Sequence, residues 1–288
     1  MAGIMHTHSA SKPLKSIANT QSAINKILVA TEACSTCVPI LNYGAGLADT
    51  LGAELVILHI VKTDPSKGDY INDYKINKGR QNLIQALNRM NIKPDNVILL
   101  VRTGDPEDII NKTILTHNVS LCVMGKSKSR SDKERVGKLT SKIVDNPPCP
   151  LTIINPQHRT KLPKKVLITW GNYDLDILEH QKNFFDSFMK KLQADDILFH
   201  VTHDYESFHP DEVEEAFKGI LHHKVNLETS HSDNAYLAIK NKLSSEDFDM
   251  VVLFHKVNKT TDDKFKGSIS KKLSFSANTA VMIIPVFN

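Results

Sequence analysis

The chain has 288 residues, of which 41% are hydrophobic and 24% are charged, and its formal net charge is +4. This length and composition are ordinary for a soluble globular protein, and the length suffices for two modest domains. The small net charge gives no argument for nucleic acid or an anionic membrane as a partner. No apolar run approaches the roughly 20 residues that a membrane span requires, so we expect a cytoplasmic protein.

The N-terminal segment and the cysteines also favour a cytoplasmic protein. Residues 1–23 are polar and lack an apolar stretch, so we expect a disordered N-terminal arm and not a signal peptide. All four cysteines lie in the first half of the chain, at Cys34, Cys37, Cys122 and Cys149. This distribution does not resemble the disulfide framework of a secreted fold, so reduced thiols are expected.

In chain order, the first half alternates apolar runs with helical patterns. Five runs predict strands, over residues 26–31, 53–61, 96–104, 120–125 and 150–155. The first helix is predicted by apolar residues at helical spacing, namely Ile40, Leu41, Leu47, Ala48 and Leu51. Gly52 is its natural stop, and Asp105 with Pro106 predicts the start of a later helix. Alternating strands and helices predict a parallel α/β sheet with right-handed crossovers.

The same order of elements recurs in the second half. "KKVLITW" at residues 164–170 repeats "NKILVAT", and residues 196–204 repeat the second strand. Residues 247–254 and 267–285 repeat the fourth strand and the final helix and strand. A polar segment with proline at both ends separates the copies. The predicted domains are therefore residues 24–156 and 164–288, joined by a linker over 157–163.

The order of strand, acidic residue, helix, "LGAELVILHIV", glycine loop and "PPCPLTII" resembles the universal stress protein family. The duplication makes the chain similar to a tandem member with a degenerate second copy. The resemblance implies two doubly wound α/β domains, each with a five-stranded parallel sheet in the order 3-2-1-4-5 flanked by helices. It also implies antiparallel pairing of the two final strands in an intramolecular pseudo-dimer. Further association into a homodimer stays open.

ATP-binding members of that family carry an Asp after the first strand and a G-x2-G-x9-G-[ST] loop after the fourth. Glycines in such a loop let backbone N–H groups approach phosphates, and the helix N-terminus adds positive potential. In this sequence Glu32 stands at the acidic position and Gly125 is the first glycine. Lys128 replaces the second glycine, Gly137 arrives one residue early, and Lys138 replaces the hydroxyl residue.

The resemblance therefore implies a site for ATP or AMP at the carboxyl edge of the first sheet. Main-chain groups near three residues would contact the adenosine, at Ala30, Thr31 and Glu32. Six residues would contact the phosphates, namely Gly125, Lys126, Lys128, Gly137, Lys138 and Thr140. Lysine binds phosphate as a point charge; the alternative is that these lysines simply solvate an exposed loop.

The second copy keeps the spacing of this loop but not its residues. Gly171 occupies the acidic position, Phe254 and Val257 replace the first two glycines, and Gly267 and Ser268 remain. Phe254 places a ring where backbone would touch phosphate, so the second copy is predicted not to bind nucleotide. Ser268 is then expected to act only as a helix N-cap.

A rival site is the C-x-x-C of Cys34 and Cys37, because a helix start lowers a thiol pKa and suits a thiol or metal sensor. Ordinary loop cysteines are the alternative, and Cys122 and Cys149 are predicted to be buried as small hydrophobes.

The histidines of the second half lack a recognised zinc spacing, at His200, His203, His209, His222, His223 and His231. His222 and His223 are predicted to point apart on a helix.

No nucleophile with a partnered base and no carboxylate pair in a catalytic context can be assembled from the sequence, so we expect no enzyme. The leading hypothesis is a cytoplasmic stress-response regulator that holds an adenine nucleotide in its first domain. One alternative is a ligand-free scaffold acting through contacts with an unknown protein partner. The other is the thiol or metal sensor. Neither nucleic acid nor a membrane is an expected partner.

Overall fold

The computed structural model describes most of the chain, over residues 24–31, 37–62, 69–93, 97–126, 138–157, 161–170, 177–202, 209–221, 223, 225–257 and 268–286. The predicted N-terminal arm and residues 158–160 of the predicted linker lie outside these ranges. We call residues 24–157 the first half and residues 161–286 the second half.

Strands and helices alternate through both halves. The first half contains β1 (Lys26–Thr31), α1 (Val38–Leu51), β2 (Glu54–Val61), α2 (Asp69–Arg89), β3 (Ile98–Thr103), α3 (Pro106–His117), β4 (Leu121–Gly125), α4 (Lys138–Asp145) and β5 (Leu151–Ile154). The second half contains β6 (Lys165–Trp170), α5 (Glu179–Leu192), β7 (Asp195–Thr202), α6 (Pro210–Lys218), β8 (Asn226–His231), α7 (Ala235–Ser245), β9 (Met250–Lys256), α8 (Ile269–Ser276) and β10 (Ala280–Val286). No helix among the described residues has the length and apolar content to cross a membrane.

All of these strands belong to one sheet, in the order β3-β2-β1-β4-β5-β10-β9-β6-β7-β8. Neighbouring strands within each half are parallel, whereas β5 and β10 pair antiparallel, with Thr152 opposite Met282. The order 3-2-1-4-5 therefore recurs in each half. The predicted five-stranded sheet of each domain is found as one half of a single ten-stranded sheet, which the antiparallel pairing of the two final strands completes as expected.

Helices cover both faces of the sheet, and each face has its own apolar core. One core includes Leu47 of α1, Leu87 of α2, Phe185 of α5 and Phe217 of α6. The other core includes side chains of α3, α4, α7 and α8, namely Ile114, Val144, Ile239 and Leu273. Both cores draw side chains from both halves. The halves therefore share their interior.

Helix ends follow the signals in the sequence. Gly52 ends α1 in the left-handed region, with a φ of 62°, which glycine adopts without steric cost. Asp105 begins α3 by accepting hydrogen bonds from the N–H groups of Glu107 and Asp108, at 3.0 and 3.3 Å. Ser268 Oγ accepts from the N–H of Lys271 at 3.1 Å, which confirms its predicted role as an N-cap.

Some elements differ from the sequence-based prediction. The prediction did not include β8, whose sequence NLETSH has no apolar run and whose residues are exposed or half-buried at the sheet edge. The placement of His223 on a helix is wrong. It follows α6, which ends at Lys218, and its Nε2 lies 2.7 Å from Asp196 Oδ2. His222 lies outside the described residues.

Candidate functional site

The carboxyl ends of β1 and β4 meet near the middle of the first half's strand order. The two strands are parallel neighbours, with Ala30 opposite Met124, so Thr31 and Gly125 end them at the same edge. β1 also pairs with β2 on its other side. Here α1 packs into one core and α4 into the other. When the helices that follow two neighbouring strands lie on opposite faces of a parallel sheet, a crevice opens between them at the carboxyl edge. Ligands bind in this crevice in such folds.

Four of the predicted site residues lie together at this edge, namely Ala30, Thr31, Gly125 and Lys126. The other members of the predicted set are placed differently. Thr140 is in the first turn of α4 and is only 2% exposed, and α4 begins at Lys138. Glu32, Lys128 and Gly137 lie outside the described residues. Their contacts with a ligand stay predictions.

His59 is a residue at this edge that the sequence reasoning did not identify. Its Nδ1 lies 3.2 Å from the carbonyl oxygen of Thr31, so the ring fixes the end of β1 against β2. A Cβ on Gly79 of α2 would lie 2.7 Å from His59 Cδ2, which shows how closely that helix covers the ring. The available signal was the repeat itself, because His200 occupies the same position of β7.

Gly125 has a packing role in addition to its predicted place in the ligand site. A Cβ at this position would lie 2.3 Å from Cδ1 of Ile40 on α1. Contacts that short do not occur between carbon atoms, so any side chain at residue 125 would displace Ile40. The glycine thus lets α1 approach β4 closely and leaves the end of β4 without a side chain.

Lys126 follows Gly125 and contacts the second half of the chain. Its backbone N–H donates to the carbonyl oxygen of Ile154 at 2.7 Å. Its ammonium group donates to the carbonyl oxygen of Phe275, in the last turn of α8. Carbonyl groups at a helix C-terminus have no partner within the helix and carry negative potential, so a lysine there is stabilising.

A reciprocal contact involves His255, which holds the position in β9 that corresponds to Lys126 after β4. The His255 ring makes a hydrogen bond with the backbone of Asp145, and Asp145 of α4 corresponds to Phe275 of α8. Burial lowers the pKa of His255, while that hydrogen bond and the Asp145 carboxylate act in the opposite direction. Nearby, Lys271 Nζ lies 2.6 Å from Asp145 Oδ2. The two halves therefore exchange equivalent contacts across the β5–β10 junction.

The corresponding edge of the second half is filled by aromatic rings. Phe254 directly follows the stretch of β9 that pairs with β6, at the place of Gly125. Its ring packs edge-to-face against Phe185, with centroids 5.5 Å apart, and against Phe217, with centroids 6.1 Å apart. The phenyl ring thus joins the apolar core of α5 and α6.

The described cysteines are all buried. Cys37 is 2% exposed and packs into the core beneath α1, while Cys34 lies outside the described residues. Burial raises the pKa of Cys122, and it raises the pKa of Cys149 to about 12. The thiols of Cys122 and Cys149 stay protonated, as expected of small buried hydrophobes. The part of the chain that the structure describes has no cluster of side chains able to hold a metal ion.

Comparisons with known proteins agree with this architecture. Residues 23–155 match the model of the Universal stress protein family. A universal stress protein from Archaeoglobus fulgidus DSM 4304 superimposes with a TM-score of 0.71 and 20% identity, over 91% of this chain and 98% of that chain. No curated protein matches the chain.

Two structures from Pseudomonas aeruginosa are also similar over most of the chain. One is a putative universal stress protein from strain UCBPP-PA14 and the other is a functionally unknown protein from strain PAO1. Each has a TM-score of 0.59 and 17% identity, over 92% of this chain and 94% of its own. Identities this low show the fold alone. Residues 23–155 are therefore similar to the universal stress protein family, within a chain that has the overall fold of these structures.

Proposed function

We propose that this chain is a tandem universal stress protein, a non-catalytic regulator in a stress response, which binds ATP or AMP in its first half only. The observation that carries this proposal is the difference between the two carboxyl edges. The edge beside β1 ends in Gly125, which has no side chain, whereas the edge beside β6 ends in Phe254, whose ring packs on Phe185 and Phe217.

Charge and helix position support a phosphate site in the first half. The segment from β4 into α4 carries six basic residues, at Lys126, Lys128, Arg130, Lys133, Arg135 and Lys138. It leads directly into the N-terminus of α4, where free backbone N–H groups favour an anion. The family match over residues 23–155 spans this entire segment. A triphosphate or monophosphate is the anion that this combination suits.

The second half differs from the first both at the end of β9 and at the start of α8. The ring of Phe254 occupies the edge, and Ser268 Oγ is engaged as the N-cap of α8. A phosphate would have to displace both the packed ring and this capping contact. The proposal therefore requires one nucleotide per chain.

The tandem arrangement is supported by the pairing of the halves. The antiparallel β5–β10 ladder, the Lys126–Phe275 contact and the His255–Asp145 contact relate equivalent elements of the two halves. Such reciprocal contacts are characteristic of a two-fold interface. The second half then acts as the structural partner of a nucleotide-binding first half.

A ligand-free scaffold is the second candidate, and one contact favours it. The ammonium group of Lys126, a predicted phosphate ligand, already donates to the Phe275 carbonyl. The thiol-sensor alternative has less support, because Cys37 is 2% exposed and a buried thiol reacts slowly.

Isothermal titration of ATP and AMP into the full chain tests the proposal. We expect micromolar binding with one site per chain. Lys128→Glu should weaken it about tenfold or more, since it reverses a charge beside the phosphates. Lys259→Glu makes the same charge change in the segment after β9 and should leave binding unchanged.

Two results would contradict the proposal. A flat trace from folded wild-type protein would leave the ligand-free scaffold as the better account. Two sites per chain, or equal losses in Lys128→Glu and Lys259→Glu, would show that Phe254 does not exclude ligand from the second half.

A further inference from the structure

The helix pairs α3–α4 and α7–α8 cover the same face of the sheet in the two halves, but their charges differ. The first pair contains both signs: its acids are Glu107, Asp108 and Asp145, and its bases are Lys112, Lys138 and Lys142. The second pair contains four lysines and no acidic residue, at Lys240, Lys242, Lys271 and Lys272. The second half thus presents a helix pair of one charge sign.

The two capping residues fix the correspondence between α3 and α7. Asp105 accepts from the N–H of Asp108, and Asn234 accepts in the same way from the N–H of Leu237, at 3.1 Å. Glu107 therefore corresponds to Tyr236, and Asp108 corresponds to Leu237. By the same count Asn111 corresponds to Lys240. Relative to α3, the exposed start of α7 loses two carboxylates and gains an ammonium group, a tyrosine ring and a leucine.

One ion pair of the first half is replaced by a cation–π contact in the second. Lys142 Nζ lies 2.7 Å from Glu107 Oε2. At the equivalent positions, Lys272 Nζ lies 5.8 Å from the ring centroid of Tyr236. Lys240 Nζ lies 5.9 Å from the same centroid. Two ammonium groups therefore share one aromatic ring.

The other two lysines of the second pair are neutralised from outside it. Lys242 forms ion pairs with Glu228 and Glu246, and Lys271 pairs with Asp145. Among the described residues no carboxylate pairs with Lys240 or Lys272. The charge that remains is concentrated around Tyr236.

Aliphatic side chains are exposed on the same two helices. Leu237 is 47% exposed and Ile269 is 37% exposed. Leu237 precedes Lys240 by one helical turn, and Ile269 precedes Lys272 by one turn, so each leucine or isoleucine lies beside an unpaired lysine. We call Tyr236, Leu237, Lys240, Ile269 and Lys272 the α7–α8 surface. It combines apolar contact area with uncompensated positive charge.

We infer that the α7–α8 surface binds an acidic segment of a partner protein. Carboxylates of that segment would pair with Lys240 and Lys272, and an apolar side chain would pack against Leu237 and Ile269. Charge complementarity of this kind sets the choice and rate of association. A nucleic acid fits less well, because two unpaired lysines release few counterions from a phosphate backbone and the Tyr236 ring already contacts the ammonium groups of both lysines.

Fluorescence anisotropy on the full chain tests the inference. The probe is a short labelled peptide in which Asp and Glu residues flank a Leu-Leu pair. We expect saturable binding that weakens with added salt. Lys240→Glu/Lys272→Glu should reduce the affinity about tenfold or more, whereas Lys93→Glu/Lys112→Glu, with the same change of net charge at exposed lysines elsewhere, should leave it unchanged.

Further probes separate charge from apolar contact and protein from nucleic acid. Leu237→Asp introduces the residue that α3 has at the equivalent position, Asp108, and should also weaken binding. A peptide with Asn and Gln in place of Asp and Glu should bind weakly. The inference is overturned if the acidic peptide fails to bind wild-type protein, or if both double variants bind it equally. A short RNA that binds more tightly than the peptide, with loss in Lys240→Glu/Lys272→Glu, would instead assign the surface to nucleic acid.

Discussion

Two glycines of α1 face different neighbours, which gives them different tolerance to a side chain. A Cβ at Gly44 would lie 2.2 Å from Val29 Cγ2, whereas a Cβ at Gly46 would lie 3.1 Å from Leu162 Cδ1. Val29 is fully buried and its β-branched side chain has little rotamer freedom. Leu162 is 36% exposed and has room to move. Only Gly44 therefore faces a side chain that the core holds in place.

We predict that Gly44→Ala lowers the free energy of unfolding by about 1–3 kcal/mol, since it overpacks α1 against β1. Gly46→Ala should stay within about 1 kcal/mol of wild type, because the helix propensity of alanine offsets the closer contact. Urea denaturation of both variants measures the difference. Equal effects would mean that α1 shifts freely over β1.

Phe254 stabilises the second half through its ring contacts with Phe185 and Phe217. We predict that Phe254→Ala lowers the free energy of unfolding by about 2–4 kcal/mol, because it removes both edge-to-face contacts and leaves a void. Phe254→Leu keeps much of the volume and should lose less. Thermal and urea unfolding provide the test, and an unchanged midpoint in Phe254→Ala would show that the ring is not a packing element.

At the scale of secondary structure elements, α4, α8 and the ends of β4 and β9 form the junction between the halves. His255 makes its hydrogen bond to Asp145 there, and burial lowers the pKa of the His255 ring. The unfolded chain then binds more protons than the folded chain near the ordinary histidine pKa of about 6.5. The stability that this histidine contributes is present above that value and is lost as pH falls below it.

We therefore predict that His255→Gln flattens the loss of stability between about pH 7 and about pH 5. Burial also lowers the pKa of His180, which acts with the same sign, so some loss should remain in the variant. Urea midpoints measured across this range provide the comparison. A variant curve parallel to that of the wild type would show that the pKa of His255 is the same in the folded and the unfolded chain.

Elements with local signals could be predicted from the sequence. The strand β1 agrees at both ends, and α1 ends at Gly52 as expected. Asp105 and Pro106 mark the start of α3 correctly, because N-caps and C-caps act within one helical turn. By contrast β8 has no such signal, since an edge strand buries little apolar surface and needs no apolar run.

The candidate site was less accessible to sequence reasoning, because its contacts are long-range. The bond between Lys126 and Phe275 joins residues 149 positions apart, and no local pattern records it. Gly125 was identified from its place in a loop pattern, yet its closeness to Ile40 depends on how α1 packs. The sequence identifies which residues follow each strand of the site. The direction of each side chain depends on how the neighbouring helices and strands pack, which the sequence does not record.

At the scale of the whole molecule, Lys126 connects the proposed nucleotide site with the second half. If a phosphate takes up the Lys126 ammonium group, the carbonyl of Phe275 loses its donor and the last turn of α8 should fray. We predict faster amide hydrogen exchange near residues 275–277 when ATP is added. Lys126→Met should show the faster exchange without ATP and no further change with it. Unchanged exchange in both cases would mean that the site and the junction are independent.

Because the two halves share both apolar cores, we expect them to unfold together. Leu28 of β1 and Leu167 of β6 occupy equivalent positions, both fully buried, in the core shared by α3, α4, α7 and α8. We predict that Leu28→Ala and Leu167→Ala each lower the free energy of unfolding by about 2–5 kcal/mol, in a single calorimetric transition. Independent halves would instead give two transitions, of which each variant would shift one. A continuous sheet through β5 and β10 favours the single transition, because separating the halves would expose strand edges and both cores at once.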